Sequence, residues 1–220
     1  LANISHEIRT PMNAIIGFSK MVSSPDFNMD EKNKFLDIII SNGKLLMALI
    51  NDMISLSKIE SNQVEVSKST CLVNDMLVVM YKEFLFELSD NPNVALKLKN
   101  ENANPKFSIY TDQSLLKEIL EKLLDNAIKF TDYGSVEFGY RTFKDGKIEF
   151  FVQDTGIGIA EEDLDKIFAR FHQLDNRTTR NYEGTGLGLS IAQHYVSLLD
   201  GKLKVTSKPG VGSTFYFSIP

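Results

Sequence analysis

The chain has 220 residues, 43% hydrophobic and 24% charged, with a net charge of -5 and a single cysteine, Cys71. This composition excludes a disordered or collagen-like chain, and one cysteine excludes an internal disulfide or a cysteine-rich zinc site and fits a reducing, cytoplasmic compartment. The negative balance speaks against a phosphate-backbone ligand, so no nucleic-acid partner is expected.

The chain opens on Leu1, without initiator methionine or leader, and reads as a piece of a longer protein whose first helix begins upstream. Residues 1–62 predict two helices and no strand. In the first, Ile4, Ile8, Ile15, Phe18 and Val22 recur at helical spacing. Ser24-Pro25-Asp26 breaks it, and Asp30 is the expected N-cap of the second. That helix carries Phe35, Ile39, Asn42, Leu46, Leu49, Met53 and Leu56 at alternating steps of 4 and 3, a heptad seam with one polar insertion. Its longest apolar run, Ile38 to Ile50, is broken by Ser41, Asn42 and Lys44 and falls short of the ~20 residues of a membrane span, so no membrane contact is expected here. One hairpin of ~60 residues leaves a wide apolar stripe uncovered. Pairing of two hairpins into a dimeric four-helix bundle covers it; packing on the chain's own second domain is the alternative.

Ser61-Asn62-Gln63 is a polar link, and residues 63–220 read as mixed α and β. Val64 to Val66 predicts a short strand, and Val73, Met76, Leu77, Met80 and Phe84 line a helix that Asn91-Pro92-Asn93 ends. A strand over Lys106 to Thr111 precedes a strong helix over Asp112 to Phe130. Strands Val136 to Phe143 and Lys147 to Val152 flank the turn signal Lys144-Asp145-Gly146. Ala160 to Phe168 and Leu187 to Leu199 predict helices, and strands Lys202 to Ser207 and Ser213 to Ile219 close the chain. Eight of the 13 glycines fall after residue 150, marking backbone that turns tightly or approaches a ligand.

Four constellations carry chemistry. At ~100° per residue His6 lies about 200° from Ile4, away from the apolar stripe, with Arg9, Thr10 and Asn13 on its own face and Glu7 beside it. A neutral imidazole is a competent nucleophile, and a neighbouring carboxylate can hold one ring N–H while the other nitrogen attacks. Pro11 removes one backbone bond and predicts a kink one turn on. In the helix 112–130, Lys122, Asn126 and Lys129 share a polar face; an amide oxygen can ligate Mg²⁺ and an ammonium can meet phosphate. Asp154-Thr155-Gly156-Ile157-Gly158-Ile159 follows a strand, and Gly184-Thr185-Gly186-Leu187-Gly188-Leu189 precedes a helix whose N-terminus favours anions. Neither is a Walker A loop, and the second lacks the dinucleotide-binding spacing. Taken singly, each also reads as a solvated helix face or an ordinary turn.

In sequence, Ser5-His6-Glu7-Ile8-Arg9-Thr10-Pro11, Asn126-Ala127-Ile128-Lys129-Phe130-Thr131, Asp154 to Gly158, Ile167 to Phe171 and Gly184 to Leu189 resemble the transmitter core of a bacterial sensor histidine kinase. Residues 1–14 are most similar to the hybrid subgroup, which carries its own receiver domain. The resemblance implies an α+β chain: a dimerisation and phosphotransfer hairpin over 1–62, then an α/β sandwich of the Bergerat ATP-binding type over 63–220. It implies a homodimer that autophosphorylates His6 from ATP and Mg²⁺ and passes the phosphoryl group to an aspartate of a receiver domain. Glu7 would orient and deprotonate the ring, and Thr10 would position water for the reverse, phosphatase reaction. Asn126 would hold Mg²⁺, Lys129 and Phe130 would line the phosphates, and Asp154 would read adenine, with Gly156, Gly158 and Ile159 in its loop. Phe168 and Phe171 would anchor a lid over Gln173 to Glu183 in which Arg180 approaches the γ-phosphate. Gly184, Thr185, Gly186, Leu187 and Gly188 would cradle the phosphates, and Thr214 would sit at the adenine end. The fragment would be cytoplasmic and its parent a membrane-bound sensor.

Lys122 departs from the family, which commonly has Asn there, and from the ATP-hydrolysing relatives, which have Glu. A protonated lysine cannot serve as that base, which favours transfer to protein over hydrolysis by water. The rivals are an ATPase clamp of the chaperone and gyrase kind, marked by steady turnover without phosphoprotein, and a silent dimeric scaffold, marked by failure to bind nucleotide.

Overall fold

The computed structural model describes residues 2–102, 104, 106–143, 147–171 and 186–220. They fall into two compact units, 2–63 and the described residues from 64 to 220.

The first unit is an antiparallel hairpin of α1 (Ala2–Ser23) and α2 (Met29–Glu60). Pro11 lies buried inside α1 without ending it. Having no N–H, it leaves the Glu7 carbonyl without its helical donor. The closed end is fixed by aromatic packing, Phe18 on Phe35 at 5.6 Å and Phe27 edge-on to Phe35 at 5.0 Å. The N-cap of α2 is Asn28, not Asp30. Asn28 Oδ1 accepts from the Glu31 N–H at 2.9 Å while Glu31 Oε2 accepts from the Asn28 N–H at 2.9 Å, a reciprocal box that Asp30 has no partner to form. The predicted seam Phe35 to Leu56 is buried or half-buried throughout. A second stripe, one residue further on, is exposed: Leu36, Ile40, Met47, Ile50 and Ile54, with Ile40 at 56% and Met47 at 58%. This double stripe makes α2 long and apolar enough, by length and composition, to cross a membrane. Both stripes step by 3, 4 and 7 residues, the heptad spacing that an association surface requires.

The second unit layers helices on a five-stranded sheet. β1 (Ser69–Leu72) pairs antiparallel with β3 (Ser108–Thr111) as a separate ribbon. The main sheet has the order β2 (Val94–Asn100), β4 (Gly134–Thr142), β5 (Ile148–Asp154), β7 (Gly212–Ile219), β6 (Lys202–Lys208), antiparallel except for the β2–β4 pair. Alternation puts Phe138 and Tyr140, Phe150 and Val152, and Phe215 and Phe217 on one buried face. There Phe107 stacks on Tyr140 at 5.2 Å, and Phe150 on Phe217 at 5.5 Å. Helices α3 (Val73–Glu87), α4 (Gln113–Lys129) and α5 (Gly188–Leu198) complete the unit. Asp112 caps α4, its Oδ1 accepting from the N–H groups of Ser114 and Leu115.

In the second unit two expectations fail and one strand was not expected. Val64 to Val66 forms no strand; the first strand is Ser69–Leu72, where the polar run Ser-Thr-Cys-Leu finds a partner in β3. β2 was not foreseen: Val94, Leu96 and Leu98 alternate with Ala95, Lys97 and Lys99, a strand pattern, but over a short window between two Asn/Pro-rich stretches. Ala160 to Phe168 is not an α-helix but two short 3₁₀ turns, Glu161–Asp163 and Lys166–Phe168. The turn Lys144-Asp145-Gly146 lies outside the described residues.

Candidate functional site

His6 is exposed on the surface of α1, with Glu7 half-buried beside it. Thr10 is also exposed, and its hydroxyl donates to the His6 carbonyl oxygen at 3.3 Å, which holds the hydroxyl on the face that carries the imidazole. The helical spacing argument therefore places the three residues on one accessible stretch of α1.

In the second unit, the end of α4, the loop after β5, the β6–β7 turn and the start of α5 converge. The Phe130 N–H closes α4 by donating to the Asn126 carbonyl at 3.0 Å, and the Phe130 carbonyl in turn accepts from the Ile157 N–H at 3.2 Å. Lys129 Nζ sits 4.9 Å from the centre of the Phe130 ring, a cation–π contact. The loop 155–159 is fastened to the turn from both sides. The Gly210 N–H donates to the Ile157 carbonyl at 2.7 Å, and Ser207 Oγ accepts from the Ile159 N–H at 2.8 Å. Two glycines are demanded by this closeness. Gly158 adopts φ +69° with its missing Cβ against the Lys208 carbonyl, and Gly212 adopts φ +122° against the Asp154 carbonyl. Their service is to let two backbones touch.

Asp154, at the end of β5, is buried. Its Oδ1 accepts from the Gly156 N–H at 2.8 Å and the Ser213 N–H at 3.2 Å. Burial raises the carboxyl above the ordinary aspartate range, opposed by these two hydrogen bonds. Both backbone donors meet Oδ1, which leaves Oδ2 as the carboxylate oxygen available to accept from a ligand. A buried acceptor of this kind suits an exocyclic amino group.

Thr214, expected at the adenine end, lies one position from the residue that meets Asp154. It pairs with Gln153, and side chains directly opposite in an antiparallel pair share a face, so alternation turns Thr214 away from the buried face of Asp154. Ser213, one position earlier, is buried and takes that place. Its Oγ lies 2.9 Å from Ser207 Oγ. Ser213 lies in the stretch Gly212-Ser213-Thr214, which resembles the family's final glycine motif; Ser207 carries no local signal, and the pairing of β7 with β5 and β6 brings both to Asp154.

Asn126 Nδ2 donates to the Lys122 carbonyl at 3.0 Å, which leaves the amide oxygen as the group available to a hard cation. Among the described residues no three His, Cys, Asp or Glu side chains cluster as metal ligands. One amide oxygen fits Mg²⁺ that keeps most of its shell as phosphate and water. Gly188 opens α5 beside Asn126 and Lys122, and Leu187 before it is buried. The Phe171 N–H donates to the Gly186 carbonyl at 3.0 Å, pinning the two ends of the segment between them, and Phe171 holds φ +58°. Arg180, Gly184, Thr185 and the lid residues Gln173 to Glu183 lie outside the described residues.

Residues 1–62 match the family model described as "His Kinase A (phospho-acceptor) domain", and residues 111–220 match "Histidine kinase-, DNA gyrase B-, and HSP90-like ATPase". The chain is 35% identical over 225 residues to "Autoinducer 2 sensor kinase/phosphatase LuxQ" of Vibrio harveyi, covering all of this chain and 26% of that protein. It is 35% identical over 227 residues to "Hybrid signal transduction histidine kinase B" of Dictyostelium discoideum, of which it covers 11%. The chain thus spans about a quarter or less of these relatives' length. The solved structure of full-length ShkA in complex with AMPPNP superposes with a TM-score of 0.72 at 26% identity, covering all of this chain and 45% of that one.

Proposed function

The chain belongs to the histidine kinase family, and from that premise we propose that it transfers the γ-phosphoryl group of ATP to His6 and then to an aspartate of a receiver domain. The observation that carries this reading is the pairing, in one chain, of an exposed imidazole flanked by a carboxylate with a buried, backbone-held aspartate of the nucleotide-reading kind.

One ring nitrogen of His6 attacks the γ-phosphorus in line as the bond to the β–γ bridging oxygen breaks and ADP leaves. Glu7 holds the N–H of the other ring nitrogen and takes its proton, so the phosphorylated ring ends neutral. Asp154 orients the adenine through Oδ2. Lys129 and the backbone of Phe130, Gly186, Leu187 and Gly188 face the phosphate chain; Arg180, Gly184 and Thr185, to which the family resemblance gives roles there, fall outside the described residues. Asn126 would hold Mg²⁺, which when bound neutralises charge on the β- and γ-phosphates. Lys122 cannot deprotonate water, so transfer to protein prevails over hydrolysis.

Two copies associate through the exposed stripe of α2, with Met12 and Ile16 of α1 beside it, into a four-helix bundle. The receiver domain belongs to the same longer chain, as the similarity to a hybrid kinase supports. The kinship with a protein named sensor kinase/phosphatase supports phosphatase activity, for which Thr10 would place water; the setting proposed for it is a cytoplasmic segment of a membrane-bound sensor.

Incubation with γ-labelled ATP and Mg²⁺ tests the reading. Acid-labile, alkali-stable label is expected in the wild type and absent from His6→Gln and Asp154→Asn. Label retained by His6→Gln sinks the assignment of the acceptor.

A further inference from the structure

Lys122 stands where the family commonly has asparagine, and the fold gives that exchange a place. The Lys122 side chain runs across the start of α5: its Cδ lies 3.6 Å from the point a Cβ on Gly188 would occupy, and Asn126 Nδ2 lies 3.9 Å from that same point. The ammonium, two bonds beyond Cδ, is thereby tethered beside Gly188, the first residue of α5. That turn has no side-chain cap and no acidic residue, so its N–H groups present their partial positive charge outward. Asn126, the amide suited to a divalent cation, is anchored to the backbone of Lys122 itself through the 3.0 Å bond to its carbonyl.

We infer that Lys122 is a direct ligand of the nucleotide's terminal phosphates, and that it supplies a fixed positive charge which lets this site hold a nucleoside triphosphate with little dependence on Mg²⁺. The inference rests on the nucleotide reading of the site given above. An asparagine in this position offers an amide oxygen that can join a metal's shell. An ammonium has no acceptor and repels a cation, but donates three N–H groups to phosphate oxygens. The exchange thus replaces a metal ligand with a phosphate ligand. On the nucleotide reading proposed above, the exchange would act at the phosphate end between α4 and α5 and leave the adenine end at Asp154 untouched.

Calorimetry on the 220-residue chain tests this with AMPPNP, ADP and AMP, each with Mg²⁺ and in EDTA. Wild type, Lys122→Met, Lys122→Asn and Lys122→Arg are compared, with thermal melts confirming folding. The wild type is expected to bind AMPPNP in EDTA within about tenfold of its affinity with Mg²⁺. Loss of one charge-assisted contact should weaken AMPPNP binding by Lys122→Met in EDTA about tenfold or more, with AMP unchanged. Lys122→Asn should recover affinity only when Mg²⁺ is added, and Lys122→Arg should keep metal-free binding. Equal AMPPNP affinity of wild type and Lys122→Met in EDTA overturns the inference. So does an equal loss for AMPPNP and AMP, which marks a packing role. A folded wild type that binds none of the three nucleotides instead overturns the nucleotide reading of the site.

Discussion

Asp154→Asn separates recognition from folding, because the structure splits the work of the carboxylate between its two oxygens. Oδ1 accepts from the N–H groups of Gly156 and Ser213 at 2.8 and 3.2 Å. Asparagine keeps that oxygen and both bonds. Only the other atom changes, from an acceptor to an NH₂ donor facing the donor amino group of adenine. A hydrogen bond to a charged acceptor contributes ~1.5–3 kcal/mol, and the opposed donors bring the loss to the upper end of that range. At about 1.4 kcal/mol per decade the expected weakening of ATP binding is ~100-fold. Calorimetry with AMPPNP reads the affinity directly. A matched titration with inosine triphosphate, whose 6-oxo group accepts from the new NH₂, should show a smaller loss or a gain. Melting of the nucleotide-free protein at neutral pH should stay level or rise, since the substitution removes a charge that burial disfavours. ATP affinity within about threefold of wild type refutes the reasoning, as does an unfolded variant.

Two further outcomes follow from the same structure. The raised carboxyl of Asp154 must be ionised to accept from adenine, so ATP affinity should fall on acidification at a pH above that of an ordinary aspartate. The stability of the nucleotide-free protein runs the other way. This group's contribution is fully present below its unfolded pKa and is lost as pH rises through the folded value; pH-dependent calorimetry and melts on wild type and Asp154→Asn would read both, and identical pH profiles for the two proteins would refute the claim. Ile50→Lys places a charge on the exposed stripe of α2 without touching the buried seam at Leu49, so light scattering should report loss of the dimer while helix content is unchanged; a dimer that survives moves the interface elsewhere.

Elements whose pattern is local were legible in the sequence. Asp112 announces α4 because a cap and a 3.6-residue apolar period lie in one short window, and the hairpin is equally plain from its heptads. β1 was hidden because four residues of mixed polarity carry no period, and only the pairing of Ser69 with Thr111 makes them a strand. The stretch after Ala160 carries helical apolar spacing at Leu164, Ile167 and Phe168, yet packs as two tight turns, because tertiary contacts outweigh propensity in so short a segment. At the site, Asp154, Asn126 and the glycines stood out as motifs. The contact of Asp154 with Ser213 did not: the two lie 59 positions apart, and a backbone N–H, common to every residue type but proline, leaves no trace in the sequence.

The two stripes of α2 are displaced by one residue along their length, Phe35 beside Leu36, Ile39 beside Ile40, Leu46 beside Met47 and Leu49 beside Ile50. One residue of α-helix turns the surface by ~100°. A helix at the corner of a square bundle needs its two neighbours in directions about 90° apart. On the proposed pairing α2 is a corner post, with one wall supplied by α1 and the adjoining wall by the second copy. Inserting a single residue near its middle would rotate the lower half by the same angle, carrying the intramolecular seam to where the second stripe had been and the second stripe about 200° from the original seam, off both walls.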